Sequence, residues 1–77
     1  MKIVDNTILT PREKEIVLYI LSGKNKCEIA NLLFLSVSTI KTNVENIYRK
    51  FGVHNKASLI VYVIKNKIVE FDDSDFN

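Results

Sequence analysis

Ile40, Val44, Ile47 and Phe51 recur at i, i+4, i+7 and i+11, the spacing that lines one side of a helix with about 3.6 residues per turn. This predicts a helix over 36–52, opened by Ser36 as a hydroxyl cap and closed by Gly52. Its other side carries Ser38, Lys41, Thr42, Glu45 and Arg49. One face is bound for a core; the other offers short hydrogen-bonding groups near the start and cations further along, a surface suited to a polyanion, with DNA the expected one.

Three more helices follow from similar local signals. Thr10-Pro11-Arg12-Glu13 joins a capping hydroxyl, a proline at the first helical position and a carboxylate three residues on, so a helix should run to about Leu21 with Ile16, Val17, Ile20 and Leu21 inward. Ser22-Gly23 ends it. Asn25 and Glu28 repeat the box and open a short helix to Leu33, with Ile29, Leu32 and Leu33 toward the core. Phe34-Leu35 then form a tight apolar turn before Ser36, an arrangement of helix, turn and helix that presents its second helix outward. Asn55 opens a fourth helix, 55–67, in which Leu59 to Ile64 are apolar all round. So small a domain cannot bury every side of such a helix, which points to a second copy of the chain in a two-fold dimer. The expectation is an all-α domain of four helices and no strand over 9–68. An arm, 1–8, precedes it, with Ile3, Val4, Ile8 and Leu9 placed to cover it, and an acidic tail, 69–77, follows.

Composition agrees with one small folded unit: 77 residues, 47% hydrophobic, two glycines and one proline. Net charge is only +2, but its distribution is uneven. Residues 1–69 hold all eleven Lys and Arg against five acids, a balance of +6, and the last eight residues hold four acids. A basic body with an acidic end suits nucleic-acid binding. The tail reads as solvated chain or as a competitor for phosphate contacts. The single Cys27 excludes an intrachain disulfide, and one Cys with one His cannot close a zinc site. No apolar run approaches a membrane span and no leader pattern is evident, so the expected compartment is the cytoplasm and no membrane partner is expected.

Leu9-Thr10-Pro11-Arg12-Glu13, Gly23, Glu28-Ile29-Ala30, Leu33, Ser36, Thr39-Ile40-Lys41-Thr42, Asn46-Ile47, Lys50-Phe51 and Val53 together resemble the LuxR-type helix-turn-helix domain. This GerE-like module is also the output domain of NarL/FixJ response regulators. The resemblance covers roughly residues 8–64. It implies a bacterial transcription-regulator domain that dimerises through its fourth helix, with Leu59, Tyr62, Val63 and Asn66 at the interface, and lays its third helix in the major groove. Lys41, Thr42 and Glu45 stand at base-facing positions of that pattern. Asn43 stands where His usually contacts phosphate, and Lys56 where Arg is usual, so both keep a donor but lose a charge or a fork. Ser38, Thr39, Asn43, Lys26, Arg49, Lys50 and Lys56 are the expected backbone contacts, set against the alternative that such cations are simply solvated. Two readings of Glu45 stay open: acceptor from cytosine N4, or surface pair with Arg49 at i+4. Tyr48 stacks on a sugar or packs on the fourth helix, the latter preferred.

Chemistry of other kinds finds little support. There is no glycine-rich phosphate loop, no nucleophile set and no metal cluster, and His54 has no evident partner, so no enzyme and no cofactor are expected. Cys27 reads as a small surface residue rather than a redox switch. The expected function is sequence-specific binding of double-stranded DNA by a homodimer that regulates transcription, with RNA polymerase or a larger regulator as a further partner. The alternative is a module of the same fold that modulates a larger regulator through helix 55–67. Met1 and the acidic ending favour a complete product over an excised domain.

Overall fold

The computed structural model describes residues 2, 3, 8–72 and 74. Four helices make up most of it, each opened by a polar side chain in extended backbone. Helix α1 spans Pro11–Leu21 behind Thr10, whose Oγ1 accepts from the Glu13 amide at 3.1 Å while the Thr10 amide donates to Glu13 Oε1 at 2.9 Å. Helix α2, Lys26–Leu33, has the same reciprocal box: Asn25 Oδ1 accepts from the Glu28 amide at 2.8 Å, and Glu28 Oε1 accepts from the Asn25 amide at 2.9 Å. Ser36 caps helix α3, Val37–Phe51, and Asn55 caps helix α4, Lys56–Lys65. Each cap satisfies amide donors that the first helical turn leaves unpaired.

The four helices also end alike. The residue that leaves the helix is left-handed in every case: Gly23 (φ 89°), Phe34 (φ 57°), Gly52 (φ 69°) and Lys67 (φ 53°). The next amide then reaches back five residues, Lys24 to Tyr19 at 3.0 Å, Leu35 to Ala30 at 2.9 Å, Val53 to Tyr48 at 3.0 Å and Ile68 to Val63 at 3.0 Å. This hydrogen bond absorbs a carbonyl that the last turn cannot pair and reverses the chain within two residues. Only two of the four sites use glycine, which adopts that backbone freely.

Ile16, Val17, Ile29, Ile40, Ile47, Leu59 and Val63 are almost wholly excluded from solvent and form the centre of the core. The stripe of α3 is part of the same core, with Ile40, Val44, Ile47 and Phe51 buried together. Leu9, Ile68 and Val69 close the periphery, with Ile3 partly buried against it.

Four expectations need correction. Two short strands exist: β1, Lys2–Ile3, pairs antiparallel with β2, Val69–Glu70, placing Ile3 opposite Val69 and Lys2 opposite Glu70. Helix α4 stops at Lys65 rather than at 67, because the left-handed Lys67 turns Ile68 and Val69 back onto the core. Leu32 is half exposed, since α2 presents Ile29 and Ala30 inward and turns Leu32 outward. Ile8 is exposed while its neighbour Leu9 is buried, and Val4 lies outside the described residues.

Candidate nucleic-acid interface

The outward side of α3 is polar because its inward side is saturated with apolar contacts. Ser38, Thr39, Lys41, Thr42, Glu45 and Arg49 are exposed, and Asn43 is half-buried. Several of these side chains already spend a hydrogen on their own helix. Thr42 Oγ1 donates to the Ser38 carbonyl at 3.1 Å, Asn43 Nδ2 donates to the Thr39 carbonyl at 2.9 Å, and the Ser36 and Thr39 hydroxyls lie 2.9 Å apart. Such back-bonding fixes short side chains against the helix.

Arg49 does not pair with Glu45. Its Nη1 donates to Asn46 Oδ1 at 2.9 Å, three residues back, and Glu45 has no ion pair among the described residues. Lys41 also has no acidic partner there. The outer face of α3 thus carries a cation and a carboxylate one turn apart, both free to meet a ligand.

Lys50 behaves otherwise. Its Nζ lies 2.6 Å from Glu13 Oε1, so the last turn of α3 is tied to the first turn of α1. The Glu13 side chain is nearly covered, which by itself would raise its carboxyl pKa. The hydrogen bond from Lys50, the hydrogen bonds with Thr10 and the attraction of the ammonium outweigh burial and hold that carboxyl below its ordinary value. A cation so placed has its charge answered inside the protein. Sequence reasoning saw Glu13 only as a cap, and no local signal announces a partner 37 residues away.

Lys24, Lys26 and Lys56 gather round one depression. Tyr48 lines it with them, over the buried Ile20, Ile29 and Val44. Tyr48 is half-buried here, and burial raises its hydroxyl pKa. Phe51 stacks on Tyr62 of α4, with 4.7 Å between ring centroids and 21° between planes.

On α4 the expected interface residues divide. Leu59 and Val63 have no exposed surface in the single chain and belong to the core, so they cannot also meet a partner. Tyr62 is half-buried, and exposed Asn66 donates through Nδ2 to the Tyr62 carbonyl at 2.9 Å. The open apolar surface is supplied by Val61, 62% exposed, and Ile64, 57% exposed. Beside Val61 runs a shallow groove lined also by Val53, Ala57 and Tyr62. A segment apolar on every side gives no local cue to which residues face inward.

Cys27 and His54 are exposed, and no three His, Cys, Asp or Glu side chains gather as a metal set among the described residues. No helix among them is long and apolar enough to cross a membrane.

Comparison with known proteins places this geometry. The family described as "Bacterial regulatory proteins, luxR family" matches residues 7–63. The oxygen regulatory protein NreC of Staphylococcus aureus, in strains JH9 and USA300 alike, is 41% identical over 64 residues, covering 83% of this chain and 30% of the relative. The crystal structure of the response regulator ChrA, from a heme-sensing two-component system, superposes with a TM-score of 0.76 at 31% identity, over 84% of this chain and 32% of that one. The chain therefore spans about a third of the length of these relatives. Its four helices, their helix-turn-helix order and a match across most of its length make it a member of the LuxR family of bacterial regulatory proteins, carrying that family's DNA-binding domain.

Proposed function

We propose that this domain binds double-stranded DNA as a homodimer, each copy laying α3 in the major groove of one half-site, and that it regulates transcription by doing so. The observation that carries the reading is the outer face of α3, where Lys41 and Glu45 are exposed without ion-pair partners among the described residues, on a helix whose opposite face is committed to the core. Lys41 donates to guanine O6 and N7. The Thr42 hydroxyl hydrogen is held by the Ser38 carbonyl, so Thr42 offers its methyl to a thymine methyl. Glu45, unpaired with Arg49, accepts from cytosine N4. Ser38, Thr39, Asn43, Lys26, Arg49 and Lys56 meet phosphates and set register. Lys50, engaged by Glu13, supports α3 from behind.

The two-fold contact is made by the outer face of α4, through Val61, Ile64, Tyr62 and Asn66. Two recognition helices then meet half-sites about one helical turn apart on an inverted repeat. The relatives bear the names of an oxygen regulatory protein and a response regulator, and the same output role is assigned to this domain.

Selection of bound duplexes from a random pool, with the native chain, Lys41→Ala and Glu45→Ala, tests the reading. Lys41→Ala is expected to cost about 1 to 3 kcal/mol at the selected site. Glu45→Ala should relax preference at one base position. Unchanged affinity in the first variant and unchanged preference in the second defeat the base-reading assignment. A tight protein complex without any duplex binding would favour the interaction-module alternative.

A further inference from the structure

The outer side of α3 carries one side chain that its polar chemistry does not account for. Val37, the first residue of the helix, is 44% exposed, and among the described residues it is the only large apolar side chain that α3 turns to solvent. It stands outside the core cluster, which takes Ile40, Val44, Ile47 and Phe51 from this helix. Lys41 and Glu45 follow it at i+4 and i+8, so the three residues form one row along the helix surface, each about a turn beyond the last. Helical side chains lean toward the amino end, which carries Val37 to the front of that row. An apolar group thus heads the face on which Lys41 and Glu45 stand exposed.

We propose that Val37 reads a thymine, packing its methyl groups against the C5 methyl in the major groove, one or two base pairs from the pair that Lys41 contacts. This rests on the DNA-binding reading of α3 and adds one determinant of sequence to it. In a helix-turn-helix the first residues of the second helix reach the base edges. Among the groups that bases present in the major groove, the thymine methyl is the apolar one. The remaining edges offer donors and acceptors, which a valine leaves unpaired when it displaces their water. A β-branched side chain also has little rotamer freedom in a helix, so its methyl groups are already oriented before binding. The spacing follows from the helix, since four residues rise about 6 Å against about 3.4 Å per base step. Thr42 offers a methyl as well, but five residues on it lies well round the helix from Val37 and meets a different base.

The duplex selected from a random pool, remade with each thymine in turn replaced by deoxyuridine, tests the assignment, because that exchange removes the C5 methyl and keeps the base pair. The duplexes are titrated with the native chain, Val37→Ala, Val37→Ile and Thr42→Ser. At one thymine the native chain should lose about fourfold in affinity on the exchange, the effect of one buried methyl group. Val37→Ile should keep that loss, and Val37→Ala should bind the thymine and deoxyuridine duplexes alike. Thr42→Ser should keep the loss at that position. Val37 lies outside the core, so Val37→Ala retains the fold. Discrimination in Val37→Ala equal to that of the native chain at every thymine overturns the proposal. So does a selected site with no thymine within two base pairs of the position at which Lys41→Ala relaxes preference. Either result leaves duplex binding standing, whereas a native chain that binds no duplex removes the DNA-binding reading and this inference with it.

Discussion

Lys50 Nζ and Glu13 Oε1 stand 2.6 Å apart, and the same carboxylate oxygen accepts from the Thr10 amide. One atom thus joins the cap of α1 to the last turn of α3. Glu13→Gln keeps a weak acceptor but removes the charge. Lys50 is about a third exposed and can turn to water, so the loss of stability should be modest, about 1 to 2 kcal/mol. Urea unfolding of Glu13→Gln and Lys50→Met should show losses of that order. The salt dependence of duplex affinity should change little in Lys50→Met and should flatten in Lys26→Gln and Lys56→Gln.

The same carboxylate makes stability depend on acid. Its folded pKa lies below the ordinary value of 4.5, so between the two values the unfolded chain binds a proton that the folded chain does not. The contribution is complete above pH 4.5 and declines as pH falls through the lower, folded value. Melting temperature should therefore drop as pH is lowered below about 4.5, and Glu13→Gln should show a smaller drop over that window. Identical pH profiles for the two proteins would refute the assignment.

Phe34 and Lys67 occupy backbone that glycine adopts without strain. Phe34 is 94% exposed, so removing its ring sacrifices almost no burial. Phe34→Gly and Lys67→Gly should each raise stability by up to about 1 kcal/mol, relief of left-handed strain being partly offset by the extra freedom of glycine when unfolded. Thermal unfolding decides it, and a loss in both variants would contradict the strain argument.

Outer and inner faces of α4 should respond to substitution in opposite ways. Val61→Glu and Ile64→Glu remove exposed apolar surface and should leave melting of the monomer nearly unchanged while shifting sedimentation toward the monomer. Leu59→Ala empties a fully buried site and should cost about 2 to 5 kcal/mol. Dimer that persists in Val61→Glu/Ile64→Glu would remove α4 from the proposed interface.

What the sequence discloses here follows how local each cause is. Both capping boxes span four residues and are readable, as are the glycine stops at Gly23 and Gly52. The ends of α2 and α4 rely on Phe34 and Lys67, residues that carry no turn signal, and the fourth helix was accordingly expected two residues too long. The amphipathic period of α3 assigned its buried side residue by residue. Its charge pairs were less legible, because Arg49 chose Asn46 over Glu45 and Lys50 chose a residue on another helix. The β ladder joins opposite ends of the chain through two residues each, too few to leave a period.

That ladder sets residues 3 and 69 face to face, so the polypeptide enters and leaves the helical body through a single doorway.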